Sequence, residues 1–157
     1  MNFREAVEGT PQLGPGAYRA GKQALGKSSK RVQCGSKEDR RFTGSVNLEE
    51  ILNKIYPNDP RWDYGLGFRL DDGTEVAFWI EEHPAITSEV KTFLAKLEWL
   101  KRWLQENAQA LWQLTRRNPK QAYLWLASKD VHIPKDSPQA RLLKQAGLDY
   151  PREVIKL

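Results

Sequence analysis

Apolar and polar residues alternate on both sides of a short polar stretch in the middle of the chain. Two alternating runs, residues 64–70 and 74–80, surround Asp71-Asp72-Gly73, a pattern typical of a β-hairpin. In a three-residue loop the last residue adopts a left-handed conformation, which glycine adopts at the lowest cost, and Gly73 stands at that position. The loop therefore predicts the register of the two strands.

The predicted register separates an apolar face of the hairpin from a second face that carries charged residues. It pairs Phe68 with Val76, Leu66 with Phe78 and Tyr64 with Ile80 on the first face, and Arg69 with Glu75, Gly67 with Ala77, Gly65 with Trp79 and Asp63 with Glu81 on the second. His83 follows on the same side as Glu81. Asp63, Glu81 and His83 favour a divalent-cation site, because carboxylates are hard-cation ligands. The alternative is that Asp63 and Glu82 only mark strand ends in water.

Helical periodicity is present on both sides of the hairpin. A first helix is predicted from Leu48 to Tyr56, with Asn47 as its N-cap and Glu50 closing a capping box. A long second helix is predicted to begin at Thr87 or Ser88. Its core stripe consists of Val90, Phe93, Leu94, Leu97, Leu100 and Leu104.

A continuous apolar run from Tyr123 to Ala127 follows the long helix and predicts a buried strand. Strand, helix and strand then form a crossover, which is expected to be right-handed and parallel. Further along, Ser137 and Pro138 predict the start of a short helix. We therefore expect an α/β fold in which a small mixed sheet with a central antiparallel hairpin is flanked by helices.

The positive charge of the chain is concentrated near its N-terminus. Residues 1–44 contain nine Lys and Arg but four Asp and Glu, whereas the formal net charge of the whole chain is +5, so the remainder is neutral. This segment also contains seven glycines. We expect a basic, Gly-rich N-terminal arm (residues 1–44) and a single α/β domain (residues 45–157). A basic arm attracts polyanions, nucleic acid above all, and the alternative is a solubilising tail.

Composition excludes several classes of protein. No apolar run approaches the ~18 residues that span a bilayer, and residues 1–8 lack an apolar signal region, so we expect no membrane partner and a cytoplasmic location. Cys34 is alone, which excludes an intrachain disulfide and a cysteine-based zinc site. Trp99 and Trp103 lie one turn apart on a second face of the long helix. They predict either burial between layers or a contact in a homo-oligomer.

The order of helix, antiparallel hairpin, helix and strand resembles the core of the PD-(D/E)XK, or restriction-endonuclease-like, nucleases. The resemblance covers about residues 47–127. Asp63 follows Pro60-Arg61-Trp62 and matches the aspartate of that family. Glu81-Glu82-His83 matches its acid-x-Lys motif, with His83 in place of the lysine. The family usually has three strands between its two helices, whereas the pattern here predicts two.

The resemblance implies metal-dependent hydrolysis of a nucleic-acid phosphodiester. Asp63 and Glu81 would hold Mg²⁺ or Mn²⁺, and His83 or Lys91, in the first turn of the long helix, would assist the attacking water. An acid in the first helix, Glu49 or its neighbour Glu50, matches a position that the family often uses. The alternative is a catalytically inactive nucleic-acid-binding or protein-assembly module that uses the basic arm and the Trp-rich helix. In that case Asp63, Glu81 and His83 form a structural hydrogen-bonded cluster, and neither hypothesis distinguishes DNA from RNA.

Overall fold

A computed structural model of the protein describes residues 1–35 and 39–157. Within them the fold is mixed α/β, with a four-stranded mixed sheet flanked by helices, as the sequence predicts. The helices are α1 (Phe3–Glu8), α2 (Leu48–Leu52), α3 (Val90–Asn107), α4 (Gln109–Arg116) and α5 (Pro138–Gln145). The strands are β1 (Val32–Gln33), β2 (Phe42–Asn47), β3 (Tyr64–Arg69), β4 (Glu75–His83), β5 (Tyr123–Ala127) and β6 (Ile155–Lys156). Short stretches of 3₁₀ helix lie at Pro15–Ala17, Gln23–Arg31, Asp39–Arg41 and Thr87–Glu89.

The main sheet has the strand order β2-β3-β4-β5. Strands β2, β3 and β4 are antiparallel, and β5 lies parallel to β4 after a crossover through α3 and α4. Strands β1 and β6 form a separate parallel pair. The sequence predicts the hairpin and the crossover but not β2, which adds an antiparallel strand on the outer side of β3.

The hairpin of β3 and β4 has the predicted register. Its ladder runs from Tyr64 opposite Ile80 to Arg69 opposite Glu75, and Gly73 has a φ of +87° in the turn. The predicted apolar face of the hairpin is buried in one hydrophobic cluster, while Trp79 on the opposite face belongs to a second cluster beneath α3. The sheet therefore has a core on each face, and side-chain parity along β4 decides which core a residue enters.

The helices around the hairpin differ from the prediction in their length. Asn47 caps α2 as expected, with its Oδ1 accepting from the Glu50 N–H at 3.0 Å, but the helix ends at Leu52 rather than Tyr56. The long second helix is divided at Ala108, which has a non-helical φ of −143° and ψ of 58°. No helix in residues 1–35 and 39–157 is long and apolar enough to cross a membrane.

The N-terminal segment that was predicted as an arm is packed into the body of the protein. Phe3 of α1 is fully buried, and Arg19 exchanges backbone hydrogen bonds of 2.9 and 2.8 Å with Ser45 of β2. Strand β2 itself crosses the predicted boundary between residues 44 and 45. Two charged residues of the predicted arm, Lys37 and Glu38, lie outside the described residues.

Trp99 and Trp103 are inside the molecule rather than on an exposed ridge. Their side chains stack with ring centroids 6.2 Å apart, and the residues are 8% and 3% exposed. The indole N–H of Trp99 donates to Asp59 at 2.9 Å and that of Trp103 donates to Gln12 at 2.8 Å. This is the burial between layers that the sequence left as one of two alternatives. The contact between copies through these residues stays a prediction.

The packing of α1 on the sheet can be tested at Gly67. A Cβ added there would lie 2.5 Å from the Cβ and Cγ of Phe3, so Gly67→Ala must displace α1. We expect a loss of about 1–3 kcal/mol in the free energy of unfolding, measured by urea denaturation, because the core becomes overpacked. Gly16→Ala is the matched control, since a Cβ at Gly16 meets no atom within 4 Å. Equal stability of the two variants would contradict the docking of α1.

Candidate active site

Asp63 and Glu81 meet at the open end of the hairpin, one position beyond the last pair of the β3–β4 ladder. The backbone N–H of Asp63 donates to Oε1 of Glu81 at 3.1 Å, and the backbone N–H of Glu82 donates to Oδ2 of Asp63 at 3.0 Å. Two carboxylates therefore take the place of the carbonyl acceptors that would continue the ladder. The preceding residue, Trp62, is fully buried and packs edge-to-face on Phe93 of α3, which holds Asp63 where the chain leaves the core.

Glu81 is the most deeply buried charged side chain of this site. Its side chain is 1% exposed, and its Oε2 accepts a hydrogen bond of 2.6 Å from Nζ of Lys96 on α3. A buried carboxylate is tolerated when a cation and hydrogen-bond donors compensate its desolvation. Lys96 and the Asp63 N–H are these partners of Glu81.

The structure corrects the choice of lysine. Lys96 contacts Glu81, whereas Lys91, the residue expected from the sequence, is exposed in the first turn of α3. Lys96 lies three residues after Phe93 and four before Leu100, so it belongs to the helix face that is buried against the sheet. A lysine inside an apolar stripe is the signal from which the sequence could have identified it.

His83 lies between two carboxylates. Its Nδ1 is 3.4 Å from Oε2 of Glu81, and its Nε2 is 3.2 Å from Oε2 of Glu89, which precedes α3. The pKa of His83 is raised, chiefly by its hydrogen bond with Glu81, and Glu89 raises it further while burial opposes the rise. A charged imidazolium can donate from both ring nitrogens, so His83 connects Glu81 to the start of the helix. Glu89 was not predicted as a site residue, because an acid in the first turn of a helix is common for reasons of helix stability alone.

The protonation of Asp63 is the unusual electrostatic feature of the site. Burial, followed by the negative charge of Glu81, raises the pKa of Asp63 to about 7 from its ordinary value of 3.8. The Glu82 N–H and the positive charge of Lys96 oppose the rise, and Glu49 adds to it. The site therefore has too little positive charge to hold Asp63 fully ionised at neutral pH.

Glu49 lies at the rim of the site and is paired with another residue. Its carboxylate binds the guanidinium of Arg61 in a bidentate manner, with an Nε–Oε2 distance of 3.1 Å and an Nη2–Oε1 distance of 2.5 Å. The Glu49 side chain is 42% exposed. The structure thus brings Glu49 close enough to influence Asp63 electrostatically, while Arg61 binds its carboxylate.

Glu82, between Glu81 and His83, points to the opposite face of the sheet. Its carboxylate binds the hydroxyl of Ser28 and the guanidinium of Arg31, and Arg31 also donates to the Ala127 carbonyl at 2.6 Å. This arrangement fastens the N-terminal segment to the end of β4. One of the basic residues expected to attract nucleic acid thus has a structural partner.

Asp63 and Glu81 supply carboxylate oxygens, the type of ligand that Mg²⁺ and Mn²⁺ prefer. Within residues 1–35 and 39–157, no group of three or more His, Cys, Asp or Glu side chains is arranged to hold a metal ion. Mg²⁺ is, however, commonly bound by one or two carboxylates, with waters and substrate phosphates as its other ligands. The raised pKa of Asp63 also fits, because a nearby cation would stabilise its ionised form.

Comparison with protein-family models, with curated proteins and with solved structures found no match to the chain.

The raised pKa of Asp63 makes the stability of the protein pH-dependent. The folded state binds this proton more tightly than the unfolded state, so the contribution to stability is full below about pH 4 and is lost as the pH rises through about 7. Asp63→Asn keeps an acceptor for the Glu82 N–H but cannot ionise. We expect this variant to be more stable than the wild type at pH 8, by on the order of 4 kcal/mol, and to differ little from it at pH 4.

Thermal and urea unfolding between pH 4 and pH 8 would measure the difference. Asp72→Asn in the hairpin turn is the control, because the Thr74 N–H lowers the pKa of Asp72 and the variant should gain no stability at pH 8. A difference between Asp63→Asn and the wild type that stays constant over this range would contradict the assignment.

Proposed function

We propose that the protein is a metal-dependent nuclease that hydrolyses phosphodiester bonds of nucleic acid. The observation that carries the proposal is the contact of Lys96 with Glu81, beside Asp63, at the end of a β-hairpin. Two carboxylates and a lysine supply what this reaction needs: ligands for a divalent cation, and a positive charge where negative charge develops on the phosphoryl group.

The order of the elements supports a likeness to the PD-(D/E)XK nucleases. Between α2, which carries Glu49, and α3 lie the two strands β3 and β4 rather than the three usual in that family, and β5 lies parallel to β4 after the crossover. Strand β2 precedes α2 and adds a third antiparallel strand to the sheet from outside this stretch. The lysine comes from α3, and His83 occupies the strand position where the family has its lysine. Membership of that family stays part of the proposal.

Asp63 and Glu81 would hold Mg²⁺ or Mn²⁺. A divalent cation at these carboxylates supplies Lewis-acid polarisation of a phosphoryl oxygen and of water. Lys96 binds the Glu81 carboxylate and would place a positive charge beside a bound phosphate, while Asp63 would give up its proton to serve as a ligand. His83, held by Glu81 and Glu89, orients the Glu81 carboxylate. Glu49, bound by Arg61, contributes negative charge from the rim.

One observation favours the second candidate function, a catalytically inactive module that binds nucleic acid. Both oxygens of Glu81 have partners within the protein, the Asp63 N–H and Lys96. Such a closed hydrogen-bonded cluster also serves as a structural link between the hairpin and α3. In both functions nucleic acid is the expected partner, and the cytoplasmic location stays a prediction.

Cation binding can be measured without knowledge of the substrate. Titration of the wild type with Mg²⁺ or Mn²⁺ by calorimetry should show binding that Asp63→Asn weakens at least tenfold, because one anionic ligand is removed. Asp72→Asn, which removes a carboxylate at the distant hairpin turn, should bind as the wild type does. Equal affinities of the wild type and Asp63→Asn would place the cation elsewhere.

Cleavage assays on labelled single- and double-stranded DNA and RNA test the catalytic proposal. We expect Mn²⁺- or Mg²⁺-dependent cleavage that stops with EDTA and falls about 100-fold or more in Asp63→Asn, Glu81→Gln and Lys96→Met, since each removes a charge that the transition state needs. Lys91→Met is the matched control and should retain activity, because Lys91 is exposed.

Lys96→Met leaves Glu81 buried without its cation, so folding must be checked alongside activity. The double variant Glu81→Gln with Lys96→Met removes both charges and should melt closer to the wild type. Cleavage that persists in Asp63→Asn or Glu81→Gln would contradict the assignment of the site. Wild-type protein that cleaves none of the four substrates would favour the inactive binding module.

A further inference from the structure

A groove of about 340 Å³ lies between α3, α4 and the start of β5. Its lining includes Lys101, Trp112, Thr115, Arg116, Lys120 and Tyr123. None of the catalytic or metal-binding residues proposed above belongs to this lining.

The groove combines positive charge with aromatic rings. Lys101, Arg116 and Lys120 are its charged residues, and none of the Asp and Glu residues that the structure describes lines it. The Lys101 ammonium lies 5.3 Å from the centre of the Tyr123 ring. This combination suits a chain of phosphates and bases, because cations bind the backbone while aromatic rings stack on base faces.

The two aromatic rings remain partly accessible because of where they lie on their elements. Helix α4 buries Leu111, Leu114 and Thr115, and Trp112 lies beside this stripe and is half-buried. Tyr123, the first residue of β5, is also half-buried, and burial raises its pKa to about 12, so its phenol stays neutral. Both rings pack partly on the core and leave the rest of their surface in the groove, where a base can stack on them.

The groove lies on the same face of the sheet as the candidate active site. Thr115 in its floor accepts a hydrogen bond of 2.8 Å from the indole of Trp79, which precedes Glu81 by two residues on β4. Lys101 follows Lys96 by five residues on α3, about 7.5 Å along the helix axis. In the β4–β5 register Tyr123 pairs with Trp79, and Glu81 pairs with a residue only two positions further, about 7 Å along the strand.

We propose that this groove binds a single-stranded segment of nucleic acid, with bases stacked on Trp112 and Tyr123 and phosphates beside Lys101, Arg116 and Lys120. Stacking requires unpaired bases, which a duplex does not present. The further step, that this segment flanks the scissile phosphate, rests on the proposed nuclease function. The groove then makes unpaired nucleic acid the substrate class of the enzyme.

Binding of labelled 12-nucleotide DNA and RNA strands to the full-length chain can be measured by fluorescence anisotropy in EDTA, so that cleavage does not contribute. We expect Trp112→Leu, which keeps the residue apolar but removes the ring, to weaken binding about tenfold. Trp112→Phe should restore most of the affinity. Lys101→Gln with Arg116→Gln should weaken binding and reduce its dependence on salt. Arg141→Gln, an exposed arginine on α5, is the matched control and should have no effect.

The outcomes separate this inference from the proposed function. The inference would be overturned if Trp112→Leu bound both single strands as tightly as the wild type does. It would also be overturned if Trp112→Leu lost as much affinity for a duplex of the same length as for the single strands. Groove-dependent binding by a wild type that cleaves nothing would support the inference and overturn the nuclease function alone. Metal-dependent cleavage by the wild type, together with binding that the groove variants do not change, would support the nuclease function and overturn the inference alone.

Discussion

The ion pair of Glu81 with Lys96 is the interaction on which the rest of the candidate site depends. A carboxylate that is 1% exposed is compatible with folding only if other groups compensate its desolvation. Lys96 comes from α3 and the Asp63 N–H comes from the start of β3, so Glu81 joins the hairpin to the helix that covers it. Burial raises the pKa of Asp63, the neighbouring negative charge of Glu81 raises it further, and Lys96 opposes the rise only in part.

A carboxyl group with a pKa near 7 lowers the stability of the folded state at neutral pH, and such groups are concentrated at functional sites. Loss of stability at Asp63 is therefore consistent with a role for this residue in binding a cation. For a purely structural role an amide at position 63 would suffice, because it would accept the same hydrogen bond from the Glu82 N–H without the loss of stability.

Side chains alternate along β4, so the two faces of the sheet make different contacts. Glu81 and His83 enter the side covered by α3, whereas Glu82 reaches the other side and binds Ser28 and Arg31. Many basic residues that appear in the sequence as a charged arm thus belong to a segment packed on the domain. Its cations include Arg4, which pairs with Glu8, and Lys22, which donates to the carbonyls of Ser29 and Val32. Under the proposed function, attraction of nucleic acid would depend on surfaces built from several elements rather than on a tail.

Features that depend on short-range rules could be predicted from the sequence. The three-residue turn at Gly73 and the two-residue period of the strands set the hairpin register, and this register alone brings Asp63 to Glu81. The caps at Asn47 and Ser137 and the strand after the long helix were likewise predicted, because capping and continuous apolar runs are local signals.

Long-range packing selects the distant residues that join these elements, and the sequence pattern does not specify them. The rotation of α3 against the sheet selects Lys96 instead of Lys91, since it depends on which helix face fits the core. Strand β2 and the docking of Phe3 against Gly67 were missed, because a Gly-rich segment shows little periodicity and its order comes from contacts with β3. The same long-range packing buries Trp99 and Trp103 inside the protein, whereas helical spacing alone shows only that they lie on one face of the helix.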